Sequence, residues 1–295
     1  MELPNIHENF PMGTAVSYRA GGCARYFAKA NSVAEILALR QFARERSVPV
    51  FVLGKGTNLL VSDKGYDGLI VGLGGEFLEV EEELSGEVLN LRVGAAAGLS
   101  KLAKDVSARG FAGLHLLAGI PGSVGGAVFM NAGAYGAELS DVVVSVEVLN
   151  ALGDLADLPK AECEFGYRAS RFQKGGETIL RANLRLGRGD PEFLKAEIAR
   201  CMQARKERQP LDKPNAGSAF KRPREGFPGA LIEAAGLKGF RIGDAQVSEK
   251  HANFIVNLGH ASATDIAKVF QKVEGEVFEK TGVKLDREVI FLGEF

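Results

Sequence analysis

Two glycine-rich turns hold the residue types best suited to gripping an anion. "GKGTN" (Gly54, Lys55, Gly56, Thr57, Asn58) and "GIPGSVGG" (Gly119, Ile120, Pro121, Gly122 and Ser123, then Gly125 and Gly126) can each point successive main-chain N–H groups at one spot. Such turns bind phosphate groups without needing a cationic side chain. Thr57, Asn58 and Ser123 add side-chain donors, so the chemistry in view is retention of a dinucleotide's pyrophosphate. Neither turn fits G-x-G-x-x-G, and no βαβ unit with an acidic residue ~20 positions on accompanies them. A nicotinamide-binding Rossmann domain is therefore disfavoured. Plainer readings stand beside this one: a hairpin turn for the first stretch, a close-packed chain crossing for the second.

The second turn lies inside "GLHLLAGIPGSVGGAVFMNAGAYG", residues 113–136, which contains no Lys, Arg, Asp or Glu. Its length suits a membrane span, but seven glycines and the central Pro121 would break that helix. Leu114, Leu116, Leu117, Ile120, Val124, Val128, Phe129 and Met130 are spaced for burial. The stretch reads as packed backbone left bare so that a ligand can approach it.

Three further residues have types that could act on a substrate. Arg168 in "FGYRAS" offers a guanidinium fork that matches a carboxylate bidentately, or simply a strand-end salt bridge. Glu288 in "LDREVIF" stands in an apolar strand pattern, either facing outward on an edge or buried and able to keep its proton. Ser218 in "PNAGSAF", read alone, is a loop-capping serine. Positive charge around it comes from "ARKERQPLDKP" and "AFKRP", with Arg208 and Lys221 the candidates for a phosphate; Arg205 and Lys206 read as a solvated helix face. His251 in "SEKHANF" can touch a nucleotide or be a satisfied strand-end histidine.

These residues need a scaffold, and the pattern supplies one. Ser32 and Glu35 open a helix over "VAEILALRQFARE", followed by strand, glycine turn and strand in "VPVFVLGKGTNLLVS". "GLIVGL", "FLEVEEE", "EVLNLRVGAA", "DVVVSVEVLN" and "TILRANLRLG" read as strands, the last alternating Leu180, Ala182, Leu184 and Leu186. "GLSKLAKDVSARG" is a helix closed by Gly110. A longer helix begins at Pro191 and stops before Pro210. The remainder reads as a short helix in "PGALIEAAG", a strand in "NFIVNLG", a helix in "SATDIAKVFQKVEGEVFEKTG" and a strand in "VKLDREVIFLG". The class is α+β, with a strand-rich domain over 1–189 and a smaller mixed domain over 190–295.

Bulk properties narrow the partners. The chain has 295 residues, 46% hydrophobic and 25% charged, as soluble globular proteins do. Its 36 basic residues against 37 acidic ones leave a net charge of −1, so no basic field invites nucleic acid. Cys23, Cys163 and Cys201 suit neither a disulfide framework nor a zinc site, and the four histidines show no metal-ligand spacing. The N-terminal residues lack the apolar core of a signal peptide. The expectation is a cytoplasmic protein with no metal, no membrane insertion and no obligate protein partner.

"VLGKGTNLLVSD", "LAGIPGSVGGAVFMNAGAYG", "FGYRASRF", "PNAGSAFKRP", "LIEAAGLKGFRIGDAQVSEKHANFIVN" and "LDREVIFLG" follow one another in this order. Together they resemble the UDP-N-acetylenolpyruvoylglucosamine reductase (MurB) family of bacterial peptidoglycan synthesis, from about Val16 to Gly293. The glycine turns alone resemble the wider vanillyl-alcohol-oxidase (PCMH-type) class of FAD-binding oxidoreductases. The resemblance implies a two-part FAD-binding domain, a C-terminal substrate-binding domain, non-covalent FAD and NADPH as reductant. It implies that both turns, with Asn131, Ala132 and Gly133, hold FAD. It further implies that Tyr167, Arg208 and Lys221 bind a UDP-sugar. About 50 residues separate "YR" from "AGS", as in the branch lacking an extra tyrosine-bearing loop. Lys55, Cys23 and Arg222 depart from the family's common glycine, proline and asparagine.

The implied reaction reduces an enolpyruvyl ether to give UDP-N-acetylmuramate. A hydride reaches one alkene carbon from reduced flavin, and negative charge collects on the neighbouring carboxylate. The resemblance assigns Arg168 and Glu288 to stabilise that charge and Ser218 to protonate the opposite carbon. Two alternatives share some features: an FAD-linked alcohol or aldonolactone oxidase with the same first domain, and a nucleotide-sugar-binding protein without turnover. The first is disfavoured by "PNAGSAF", the second by the Arg–Ser–Glu set.

Overall fold

The computed structural model describes residues 3–295, which form two compact units. The first comprises residues 3–6, 28–55 and 70–204; the second comprises 7–27, 56–69 and 205–295. Two N-terminal segments thus cluster with the C-terminal part, an interleaving that a reading of texture along the chain does not reveal. The stretch Gly54–Asn58 is itself divided, Gly54 and Lys55 in the first unit and Gly56, Thr57 and Asn58 in the second.

In chain order the first strands are β1 (Ile6–Pro11), β2 (Cys23–Ala30), β3 (Val50–Leu53), β4 (Leu59–Val61), β5 (Tyr66–Leu73), β6 (Val80–Ser85) and β7 (Val88–Gly94). There follow β8 (Phe111–Ala112), β9 (Gly133–Ala134), β10 (Ala137–Glu138), β11 (Val143–Leu149), β12 (Leu155–Pro159) and β13 (Thr178–Arg188). The last are β14 (Arg241–Ile242), β15 (Ala245–Val247), β16 (Ile255–Asn257) and β17 (Ile290–Leu292). The helices are α1 (Val33–Glu45), α2 (Leu99–Ala108), α3 (Val124–Met130), α4 (Pro191–Arg208), α5 (Pro228–Ala234) and α6 (Ala263–Thr281). None of the helices among the described residues is long and apolar enough to cross a membrane.

The first unit is built on an antiparallel sheet in the order β12-β11-β13-β7-β6, with β8 added to β13. The expected alternation in β13 is present: Leu180, Ala182, Leu184 and Leu186 are all buried. Ala182, Leu184 and Leu186 face the same core as Leu89, Leu91 and Val93 of β7 and as Leu102, Val106, Val124 and Val128 from the two helices α2 and α3. Helix α1 begins where Ser32 Oγ accepts the Glu35 N–H, and it buries Ile36, Leu39 and Phe42. Burying a Leu or Phe side chain contributes roughly 1.5–3 kcal/mol.

In the second unit the sheet β14-β15-β16 packs with α5 and α6 around Tyr18, Leu60, Phe220, Ile232 and Phe270. Phe220 meets Phe270 edge to face, ring centroids 5.3 Å apart. Helix α6 starts on a doubled cap, Ser262 Oγ accepting the Asp265 N–H and the Asp63 carboxylate accepting those of Ala263 and Thr264.

Two strand readings change in the folded chain. The stretch 50–61 is not a hairpin: β3 joins the sheet β1-β2-β5-β3, whereas β4 pairs in parallel with β17. And the final strand begins only at Ile290, so Glu288 lies just before it rather than within it. The reason is a change of partner, since the Glu288 N–H donates to Ala219 O while the Ile290 N–H donates to Asn58 O.

Candidate active site

The "GIPGSVGG" stretch follows a short turn at His115–Leu117 and leads into α3, and its Ser123 bridges Gly98, the residue just ahead of α2. The N–H groups of Val124 and Gly125 are committed to Ala97 O and Ala95 O, and that of Gly126 to Ser123 Oγ at 3.2 Å. Those of Gly119, Gly122 and Ser123 donate to no described residue. Three main-chain donors in five residues are thus open to an anion. Gly125 has another task, because a Cβ there would stand 2.7 Å from Ala95 Cβ and prise α3 off the strand side of the core. Gly54 belongs to the same locality, a Cβ on it falling 2.9 Å from Ser123 Oγ. The Lys55 ammonium lies over Gly98, so a cation stands beside the open donors.

Asn131 ends α3 in the left-handed region, with φ of +42°, and is buried. Its amide nitrogen donates to Glu138 Oε2 at 2.8 Å and Gly166 O at 3.0 Å, and its oxygen accepts the Ser140 N–H. The side chain therefore shapes the loop. Ala132 and Gly133 then lead into the hairpin β9–β10, and Gly133 O accepts a hydrogen bond from Arg168 Nη2 at 2.8 Å. Arg168 is half-buried, itself at a φ of +52°, with its guanidinium 5.0 Å from the ring of the exposed Tyr167. A left-handed backbone at an arginine is disfavoured and persists only where surroundings over-determine it.

In the second unit the residues 215–221 run alongside 286–288. Asn215 Oδ1 accepts the Gly217 N–H, turning the chain into Ser218. Ala219 O accepts from the Glu288 N–H at 2.9 Å, Phe220 bridges Arg287, and the Lys221 N–H donates to Asp286 O at 2.8 Å. The segments that carry Ser218 and Glu288 are therefore fastened to one another, and both residues are half-buried. The Ser218 hydroxyl makes no hydrogen bond to any described residue, so it caps nothing. Asn58 joins this group, its amide nitrogen donating to Glu288 O at 2.9 Å. Gly56, at φ of +61°, sits so close to Ala15 that a Cβ would lie 2.2 Å from its carbonyl oxygen. Thr57 follows it, half-buried.

Other candidates are less engaged. Arg208 is exposed in the last turn of α4, and Lys221 is half-buried beside the Ser218 loop. Arg222 is exposed and stacks on Phe227, 4.0 Å from its centroid. His251 is a satisfied strand-end residue: its Nδ1 accepts the Asn253 N–H, and burial holds the imidazole below its ordinary value. Two residues that sequence reasoning passed over do more. Asn253 clamps Phe220 from both sides, accepting its N–H and donating to its carbonyl, while Asn253 O accepts the Ala219 N–H. Tyr135 occupies the tip of the β9–β10 hairpin. Asn253 lies in the quoted "HANFIVN", but only its contacts reveal its task.

Open main-chain donors, a neighbouring ammonium and glycines too crowded for side chains fit the diphosphate of a dinucleotide. With the sheet that carries them they define an FAD-binding oxidoreductase, and residues 24–158 match the FAD binding domain model. Residues 209–292 match the model of the UDP-N-acetylenolpyruvoylglucosamine reductase C-terminal domain. The chain belongs to the UDP-N-acetylenolpyruvoylglucosamine reductase family, and its activity is that reductase step in peptidoglycan precursor synthesis. The protein of that name from Agathobacter rectalis is 41% identical over 304 aligned residues, covering 100% of this chain and 96% of the relative. That from Caldanaerobacter subterraneus subsp. tengcongensis is 42% identical, over 98% of this chain and 94% of the relative. The crystal structure of the enzyme from Thermus caldophilus superposes with a TM-score of 0.82 at 34% identity, covering 98% of this chain and 99% of that one.

Proposed function

We propose that this chain reduces UDP-N-acetylglucosamine enolpyruvate to UDP-N-acetylmuramate with NADPH, using non-covalently bound FAD, in the cytoplasm. The observation that carries the mechanism is the uncommitted hydroxyl of Ser218 on a loop tied to the Glu288 segment. FAD, when bound, would take up a hydride from NADPH and pass it to the substrate. Gly119, Gly122 and Ser123 would hold its diphosphate through their N–H groups, with Lys55 adding charge. Gly54, Ile120, Pro121, Gly125 and Gly126 give the stretch its shape, as do Gly56 and Thr57 on the other turn. Ala132, Gly133 and Asn131 close it.

Arg168 pairs with the substrate carboxylate and draws the developing charge onto it. Glu288, carrying its proton in this role, donates a hydrogen bond to the same charge, and Ser218 delivers the proton to the neighbouring carbon. Tyr167, Lys221 and Arg208 are assigned to the UDP-sugar. Cys163 offers no attachment point for flavin: its thiol is buried, donates to Leu158 O and Pro159 O, and is pushed up to about 11 by burial. Three free cysteines among the described residues suit a reducing compartment. The span from Arg168 to Ser218 is taken up by β13 and α4, which favours the branch without an added tyrosine loop.

The test is transient kinetics of the Ser218→Ala holoenzyme. Flavin reduction by NADPH stays near normal, whereas reoxidation by the enolpyruvyl substrate falls by on the order of 10²–10⁴-fold. Near-normal reoxidation would show that Ser218 is not the proton donor.

A further inference from the structure

We infer that Tyr135 is a positioning residue that sets Arg168 by anchoring the hairpin on which Arg168 rests, an inference that builds on the role proposed above for Arg168. The hairpin β9–β10 turns through two residues, Tyr135 at φ of +55° and Gly136 at +86°. Both central positions being left-handed makes this a type I′ turn, whose first position favours Asn, Asp or Gly. A bulky aromatic residue there is an outlier. Burial does not account for it, since Tyr135 is 42% exposed.

Its side chain supplies the reason. The phenol donates to Cys201 O, within α4, at 2.9 Å. The Arg200 guanidinium approaches the ring at 5.9 Å, held in turn by a two-pronged pair with Glu197. The tip of the hairpin is thereby fastened to a helix whose Leu194 and Cys201 are buried.

The other end of the hairpin is where Arg168 docks. Gly133, paired with Glu138 in the ladder, offers its carbonyl to Arg168 Nη2 at 2.8 Å. Glu138 also takes the Asn131 amide, which bonds Gly166 just ahead of Tyr167 and Arg168. Two strands of two residues each do not hold their own geometry in water. Released at the tip, the pair shifts, and the Gly133 carbonyl shifts with it. Arg168 then meets a substrate carboxylate at the wrong angle, and small misplacements of this kind are costly in rate.

The experiment uses the holoenzyme and separates the two half-reactions. Tyr135→Phe keeps the ring and loses the tether; reoxidation by the enolpyruvyl substrate should slow roughly tenfold, with flavin reduction by NADPH and the flavin absorbance spectrum unchanged. Tyr135→Asn, better suited to the turn, should unfold within about 2 °C of the parent and yet show the same slow reoxidation. Added to Arg168→Ala, Tyr135→Phe should cost nothing more. A normal rate in both Tyr135 variants beside a slow Arg168→Ala overturns this inference alone. A normal Arg168→Ala overturns the role of Arg168 and this inference with it. A full further tenfold loss in the double variant means that Tyr135 acts independently of Arg168, which also overturns it.

Discussion

The side-chain amide of Asn58 donates to the main-chain carbonyl of Glu288 at 2.9 Å, across 230 residues of sequence. The same asparagine's carbonyl takes the Ile290 N–H. Asn58 therefore brackets Glu288 on its C-terminal side while Ala219 holds it through its own N–H. A residue read from the sequence as a cofactor donor is, in the folded chain, a strap for a proposed catalytic carboxylate.

Asn58→Ala should accordingly slow reoxidation of the enzyme by its enolpyruvyl substrate about five- to tenfold, the worth of one hydrogen bond that orients Glu288. FAD affinity should change by less than threefold, since the side-chain amide is committed to the Glu288 carbonyl. Parallel measurement of the flavin dissociation constant and of the second half-reaction checks this. A large loss of flavin with a normal second half-reaction would return Asn58 to the cofactor.

Lys55 carries the opposite expectation. Its ammonium lies over Gly98, beside the unclaimed N–H groups of Gly122 and Ser123. Lys55→Ala should weaken FAD about five- to tenfold, the value of one charge-assisted contact at a partly exposed site. It should also flatten the dependence of affinity on salt, because screening acts on the lost charge. Titration of deflavinated protein at two ionic strengths reads both effects.

Asp63 gives the fold a pH dependence. Burial pushes its carboxyl up, but hydrogen bonds from Thr264, Ala263 and Ser262 outweigh this and hold it below the ordinary carboxylate range. A depressed folded-state pKa stabilises the protein above the unfolded value, about 3.9, and that contribution disappears as pH falls through the folded value. Asp63→Ala should cost about 1 kcal/mol at pH 7 through loss of the α6 cap, with the gap narrowing below pH 4. Urea unfolding of both proteins across this range measures it; a gap independent of pH would mean that the charge contributes nothing.

The thiols should differ in reactivity. Cys23 is exposed, while burial pushes Cys163 up to about 11 and raises Cys201 as well. At pH 8 the two buried thiols stay protonated and shielded, so an alkylating reagent should modify Cys23 alone in the native protein. Mass spectrometry of the labelled peptides distinguishes the three.

Elements were legible where one face sets the pattern. The alternation of Leu180, Ala182, Leu184 and Leu186 and the capping pair of Ser32 and Glu35 lead directly to β13 and α1. Pairing was not, because it depends on residues far away: nothing in "VPVFVLGKGTNLLVS" shows that β3 and β4 join different sheets. At the site, the types of Arg168, Ser218 and Glu288 were visible, but whether a side chain is already committed was not. Ser218 looks like a cap and caps nothing; Asn131 looks like a ligand and is fully engaged with protein. Tyr135 conforms to no local rule, and its meaning resides in a carbonyl 66 residues away.

The parallel pairing of β4 with β17 also has a consequence for biosynthesis. Leu59, Leu60 and Val61 are all buried, and their ladder partners are Ile290, Phe291 and Leu292. At translation speeds of ~5–20 residues per second, β4 emerges roughly ten to fifty seconds before its partner exists. During that interval an apolar strand with unpaired edges is accessible to holdase chaperones and to neighbouring nascent chains. A ribosome stalled short of residue 290 would therefore display β4 to whatever binds first.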